Sequence, residues 1–458
     1  MPDNDRVMEG LSEPEPAIGW EIIRLAMPVL AEQCLQFFVG LWDYYLSGHL
    51  TGPGAAEATE AVGTTVYGSW LASLIFTLVS AGTTALISRA WGAGDSRFAA
   101  RIGTVSLGLG MVAGIVYGTL AWTGAPYLAA FLKLSPTATA LAVEYLRWDA
   151  IAAVPFSVTI VGAAALRGTG NMRTPLLIFS VVSAVNVLMA WSFVDGFGPI
   201  PALGASGIIF GTFIAKWIGG TLMALCFALG LGGVRLTAVS RGEALSLVRR
   251  MLRIGLPAAV DGISLWCAQI FFLRIIHQAG DTALKAHFVG IEMESLSYLP
   301  AMAWGIATAT LVGHRLGAGF PGRAIQVARA ALQQVIFVGA LAGLAFYFGA
   351  ERIFGLMHQD EAVRRVGADA LRLLAAFEPL LVIGIVSVYA LRGAGETRLP
   401  MLLTVFSTVF VRLPLAYWAV GAGWGLRGAW MGMCADITLR GIASSLLLLR
   451  GRWARIRV

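Results

Sequence analysis

Six carboxylates stand inside long apolar runs: Glu32, Asp43, Asp261, Glu292, Glu294 and Glu378. A carboxylate at the centre of a membrane span costs roughly 2.5–3.5 kcal/mol on insertion scales, so each calls for a partner or a task. The task it suits is to hold a cation, whether a proton, Na+ or a charged organic molecule, with one occupant excluding another. Asp43 sits in Gly40-Leu-Trp-Asp-Tyr-Tyr-Leu46, where Trp42, Tyr44 and Tyr45 offer stacking and cation–π contacts. The plain alternative is an aspartate solvated near the outer surface. Trp70, Trp266 and Tyr298 are further candidate cavity aromatics; most of the fourteen tryptophans are expected to anchor or pack. Glu292 and Glu294 lie two residues apart, about 200° around a helix, so only one is expected to face a cavity. Asp261 follows Pro257, Glu32 follows Pro28 and Glu378 precedes Pro379. For Glu32 and Glu378 a hydrogen bond to proline-kinked backbone is the structural alternative. Lys216 and Asp436 occupy near-equivalent positions of the two chain halves, and each is expected to be paired within its own half.

Other chemistries find little support. The chain has no G-x-x-x-x-G-K-[ST] loop, no H-E-x-x-H and no nucleophile elbow, and its five histidines (His49, His277, His287, His314, His358) are scattered. Cys34, Cys226, Cys267 and Cys434 lie in apolar runs at no metal-like spacing. No cofactor is expected, and no metal apart from Na+ at the carboxylates. The net charge of +7 does not imply nucleic acid, because the basic residues lie mostly between the apolar runs.

The elements that must position these carboxylates are membrane helices. Of 458 residues, 57% are hydrophobic and 13% charged, against roughly 25% charged in soluble domains, and mean hydropathy is +0.76. Runs such as Ile102–Leu120, Leu176–Val194 and Ala330–Phe348 reach the roughly 20 residues a bilayer core requires. The fold class is therefore an all-α polytopic membrane protein. Twelve helices are expected, roughly 19–48, 61–87, 98–123, 143–166, 174–194 and 204–230, then 251–278, 285–312, 325–348, 367–391, 399–420 and 425–449. They form two pseudo-symmetric six-helix lobes, 19–230 and 251–450. A disordered tail is expected over 1–18, a linker over 231–250 and a basic tail over 451–458. Arginines crowd the loops after the even-numbered helices and the C-terminus, which puts both termini in the cytoplasm. Arg352, Arg364 and Arg365 run against that bias.

The lobes are copies. Arg167-Gly-Thr-Gly-Asn-Met-Arg-Thr-Pro175 returns as Arg392-Gly-Ala-Gly-Glu-Thr-Arg-Leu-Pro400, 225 residues on. Gly92-Ala-Gly94 returns as Gly317-Ala-Gly319 and Leu146-Arg147 as Leu371-Arg372, at the same offset. Pro28 with Glu32 returns as Pro257 with Asp261 at 229, and Gly204-x-x-Gly207-x-x-x-Gly211 as Gly425-x-x-Gly428-x-x-x-Gly432 at 221. An even number of helices per copy makes the repeats parallel, with a site expected between the lobes near mid-membrane. The R-G-x-G-x-x-R-x-P stretches read as structural connectors. Gly168, Gly170, Gly393 and Gly395 permit tight turns, and Arg167 and Arg392 face helix C-termini and anionic headgroups.

These motifs resemble the multidrug and toxic compound extrusion (MATE) transporters. The resemblance spans roughly residues 19–450. It rests on the two L-R-G-x-G motifs, the G-A-G turns, Pro28 with Asp43, Ile291-Glu-Met-Glu-Ser-Leu-Ser297 leading into Thr310-Leu-Val-Gly313, Arg412-Leu-Pro414 and the glycine-rich sixth and twelfth helices. It implies a secondary antiporter, not an enzyme, that exports amphipathic, often cationic compounds in exchange for H+ or Na+ by rocking of the lobes. It also implies coupling at Asp43, makes Glu294 the better match of its pair, and allows an acid at Asp261. One departure stands out: Asn186 is present, but position 190, where one branch carries Asp, is Ala. A monomer among membrane lipids, working on small molecules, is expected. The alternatives are a flippase of lipid-linked or other amphipathic metabolites and, more remotely, an intramembrane enzyme or passive channel.

Overall fold

The computed structural model describes residues 18–50, 55–132, 134–197 and 202–456. The expected N-terminal tail (except Ile18), Lys133 and Arg457 lie outside the described residues. The described chain is helical: α1 (Ile18–Gly48), α2 (Ala55–Gly92), α3 (Ser96–Phe131), α4 (Pro136–Ile151), α5 (Ala153–Gly168), α6 (Arg173–Asp195) and α7 (Ala205–Leu229) form the first lobe. The second holds α8 (Arg241–Gln278), α9 (Asp281–Gly317), α10 (Pro321–Met357), α11 (Glu361–Ala375), α12 (Glu378–Gly393), α13 (Arg398–Ser407), α14 (Leu413–Gly421) and α15 (Gly425–Leu449). Among the described residues ten spans are long and apolar enough to cross a membrane, and taking each of the bent pairs α4–α5 and α11–α12 as one span brings the number to twelve.

Two spans expected to be continuous are broken. α4 meets α5, and α11 meets α12, at 57°. Pro155 and Pro379 sit just inside the second segment of each pair, where a missing N–H removes a helical hydrogen bond. Both spans also start earlier than hydropathy suggests, because Ser135 and Asp360 cap the first turns of α4 and α11. In the eleventh span, Thr408–Arg412 forms a π-turn between α13 and α14, where Pro414 withholds the amide that a regular helix would use. The basic tail is docked: Arg452–Arg455 makes a 3-10 turn, Trp453 is buried, and its indole donates to the Leu448 carbonyl at 2.6 Å.

The repeated glycines serve close approach. A methyl on Gly207 or Gly211 would lie 2.5 Å from backbone atoms of α6, and one on Gly432 would lie 2.7 Å from the backbone at Ala416 and Arg412. Each lobe thus packs its last two spans backbone to backbone.

The lobes meet at the end bearing the G-A-G turns. A methyl on Gly92 would lie 2.1 Å from the His314 carbonyl oxygen, and one on its repeat mate Gly317 lies 2.1 Å from the Arg89 carbonyl oxygen. Arg89 and His314 are themselves repeat mates, 225 apart. Each reaches across to the other lobe's R-G-x-G turn: Arg89 donates to the Ala394 carbonyl at 2.7 Å, and His314 Nε2 to the Gly168 carbonyl at 2.8 Å. Thr310 donates to the Arg167 carbonyl, Arg315 pairs with Glu21 at 2.7 Å, and Gln334 donates to the Gly19 carbonyl at this same end. The pseudo-two-fold axis therefore passes through this seam. At the other end of α1, a methyl on Gly40 or Gly48 would meet nothing within 4 Å.

Candidate functional site

Among the described residues, three buried acids and the partly buried Asp149 are spoken for. Arg167 turns inward and pairs with Glu32, which is 1% exposed. Its repeat mate Arg392 pairs with Asp261 at 2.6 Å. This corrects the reading of the two arginines as dipole- and headgroup-facing: each ties an R-G-x-G turn to the acid one turn beyond the proline of α1 or α8. Glu32 is bound by a guanidinium rather than by kinked backbone. Lys216 pairs with Asp149 inside the first lobe, and Asp149 also accepts from the Tyr117 hydroxyl at 2.6 Å. Asp436 accepts two bonds from Arg440, at 2.9 and 2.8 Å, and one from Ser407 at 2.6 Å. Lys216 and Asp436 are thus each paired within their own lobe.

Among the described residues, the buried or partly buried span groups left outside these pairs are mainly acids, with Arg412 as a buried base. Asp43 has a buried carboxyl oxygen with no hydrogen-bond partner, and the Trp42 indole beside it is also unbonded. Lys216, already paired, is the cation that attracts Asp43. Trp42 stacks on Tyr45 at 5.5 Å between ring centres, and Tyr45 stacks on His49 at 4.0 Å.

In the second lobe, Glu294 of α9 and Glu378 at the start of α12 are buried beside each other. Tyr298 lies next to Glu294. Ser297 lies beside Glu378 but outside hydrogen-bond geometry, and both Glu378 oxygens are unbonded. Arg412, delivered by the π-turn, faces Glu294 and Asp436. It donates to Gln269 Oε1 at 3.1 Å and covers the Phe272 ring at 4.3 Å. Phe272 is the repeat counterpart of Asp43, 229 residues on. Where one lobe places a carboxylate, the other places an aromatic ring capped by a guanidinium. Glu292 and Glu294 point apart, as their spacing requires: Glu294 is buried in the lobe, while Glu292 is exposed and acts on Tyr44 of the opposite lobe.

The structure therefore gathers Glu294, Glu378 and Tyr298, keeps Asp43 with Trp42 and Tyr45 in the other lobe, and withdraws Glu32 and Asp261 into ion pairs. The roles of Asp149, Gln269, His287 and Arg440 were not singled out from sequence. A membrane-embedded Lys216 does signal a nearby acid, which turned out to be Asp149. His287 is buried between Trp430, whose indole donates to its Nδ1 at 3.1 Å, and Gln269. Among the described residues no cluster of three or more His, Cys, Asp or Glu could hold a metal.

The sequence profile of the MatE family matches residues 28–192 and 257–418, one stretch per lobe, starting at Pro28 and Pro257. The chain belongs to the MatE family. Among relatives of this MATE chain, a probable multidrug resistance protein NorM of Thermotoga maritima is 28% identical, over 97% of this chain and 95% of that protein. The multidrug resistance protein PmpM of Pseudomonas aeruginosa is 23% identical, over 95% and 91%. A solved MATE transporter described as outward-facing superposes with a TM-score of 0.86 at 22% identity, over 95% of this chain and 96% of that one. The MATE chain is thus an integral membrane protein of a transporter family, not of an enzyme family.

Proposed function

We propose that this MATE chain is a secondary antiporter that exports amphipathic, cationic compounds in exchange for a monovalent cation, H+ or Na+. One observation carries the reading. Once the four ion pairs are discounted, Glu294 and Glu378 remain buried in the spans and Asp43 remains partly buried with an unbonded carboxyl oxygen, with Arg412 as the only additional buried base facing them among the described residues. The surplus is negative, and a cation is what such a surplus binds. Exposed Tyr44 and Tyr45, with Glu292 opposite, offer rings and charge to an organic cation between the lobes. A carboxylate that holds either the coupling ion or the drug gives obligatory exchange. The names of the multidrug resistance relatives agree with this cargo.

The lobes, expected at residues 19–230 and 251–450, rock about the seam, and the second begins earlier than expected because α8 already starts at Arg241. The arginine bias makes the G-A-G end cytoplasmic, so the structure corresponds to the outward-open state. The chain works as a monomer and needs no cofactor.

The test is dye or fluoroquinolone uptake into inverted vesicles under separately imposed H+ and Na+ gradients. Asp43→Asn and the pair Glu294→Gln and Glu378→Gln are each expected to lower gradient-driven uptake at least tenfold with normal membrane insertion. Unchanged uptake in all three variants would refute the assignment. The gradient that drives wild-type uptake identifies the ion.

A further inference from the structure

A cavity of about 330 Å3 opens beside the lobe seam, at the small end of the roughly 300–1,000 Å3 typical of ligand pockets. Its walls come from the first turns of α1, the first R-G-x-G turn with the start of α6, and Leu311 and His314 of α9. Both lobes thus contribute. Glu21 on its rim is neutralised by Arg315. Arg24 and Arg173, also on the rim, are exposed and make no ion pair or hydrogen bond among the described residues. Two unpartnered guanidiniums leave the mouth basic, and such a mouth recognises phosphate by paired N–H donors.

Two observations identify where that phosphate comes from. Below Arg173, an exposed apolar stripe continues down α6 through Leu177, Val181 and Leu188; below Arg24, Met27 is exposed; and Trp20, one turn above Arg24, is 62% exposed. Arginine at the rim, tryptophan beside it and apolar surface below is the layering of headgroup over acyl chain. The second lobe supplies the contrast. Arg253 and Arg398 are the repeat mates of Arg24 and Arg173. There the turn carries Glu396 in place of Asn171, and the Ile456 carbonyl of the C-terminal segment accepts from Arg89, the mate of His314. The chain's own oxygens serve that copy.

We propose that the cavity between α1, the first R-G-x-G turn and α9 binds the phosphodiester headgroup of an anionic membrane lipid. Because both lobes line it, the bound lipid favours the form in which the seam is closed.

The test uses the full-length protein in detergent, with thermal unfolding followed as dioctanoyl phosphatidylglycerol, dioctanoyl phosphatidylcholine or glycerol phosphate is added. Phosphatidylglycerol is expected to stabilise the wild type. The concentration for half-maximal effect should rise at least tenfold in Arg24→Gln/Arg173→Gln, and stay within twofold in the mate variant Arg253→Gln/Arg398→Gln. Equal responses in both double variants would overturn the site. Glycerol phosphate matching phosphatidylglycerol would overturn the lipid in favour of a soluble phosphate, and phosphatidylcholine matching it would overturn recognition of net negative charge. Spin labels on Arg97→Cys and Gly322→Cys, one in each lobe, give a second readout: phosphatidylglycerol should increase the short-distance population in the wild-type pocket and not in Arg24→Gln/Arg173→Gln. This readout is independent of transport, so it stands or falls apart from the antiport reading.

Discussion

Gly92→Ala asks whether one methyl group can pry the lobes apart. The added carbon would lie 2.1 Å from the His314 carbonyl oxygen and 2.6 Å from the His314 Cα. Backbone atoms cannot rotate away, so α2 and α9 must separate by 1.3 Å to reach an ordinary contact at 3.4 Å. That stretches the His314–Gly168 and Arg89–Ala394 bonds, now 2.8 and 2.7 Å, to about 4 Å, beyond hydrogen-bonding reach. A neutral bond contributes about 0.5–1.5 kcal/mol net and a charge-assisted one about 1.5–3. The closed seam should therefore lose about 2–4.5 kcal/mol, roughly a 30- to 1,600-fold fall in the ratio of closed to open forms. Arg97 and Gly322 are exposed repeat mates beside the seam, and spin labels there report the separation in a background lacking the four native cysteines. Gly92→Ala should add a longer-distance population that Gly108→Ala, whose methyl meets nothing within 4 Å, does not. A distance distribution identical to the parent's would refute the argument that the seam is a rigid backbone contact.

Three further outcomes follow from the same geometry. Glu32→Gln should leave Arg167 buried and uncompensated at a cost of about 3–5 kcal/mol, whereas Glu32→Leu/Arg167→Met should recover most of it; a double-mutant cycle on thermal midpoints checks this, and additive losses would count against a true pair. Lys216→Met should destabilise the first lobe by a similar amount by stranding Asp149, and Asp149→Asn should offset the loss; the readout is the unfolding midpoint. Trp453→Ala should cost about 3–5 kcal/mol by emptying a buried site, and an unchanged midpoint would mean that the C-terminal turn is not docked.

Much of the architecture was legible because membrane helices announce themselves by length and because the duplication repeats at fixed offsets. The breaks at Ala152 and Ala376 were not anticipated, since the apolar run continues through them; Pro155 and Pro379 were the signals, together with the Ser135-Pro136 cap. Arg364 and Arg365, which opposed the charge bias, lie on the first turns of α11, where Arg365 pairs with Glu361 at 2.5 Å; Arg372 pairs with Glu351 at 2.8 Å. The candidate site was legible as a set of acids but not as a sorting of them. Glu32 and Arg167 are 135 residues apart, and Asp261 and Arg392 are 131 apart. No local pattern reveals which acid a distant guanidinium will claim, so the paired and unpaired carboxylates looked alike until the helices were in place.

The four ion pairs bear on how the transporter feels membrane voltage. A single charge crossing the full field exchanges about 2.3 kcal/mol per 100 mV. Each pair keeps both members in one lobe, so a lobe that rocks as proposed would carry it as a neutral body and the field would do no net work on it. Asp43, Glu292, Glu294, Glu378 and Arg412, which those pairs do not neutralise, remain able to contribute gating charge, together with whatever they hold. The current that accompanies a cycle should therefore report the stoichiometry of ion and cargo directly, with little displacement current from the protein itself.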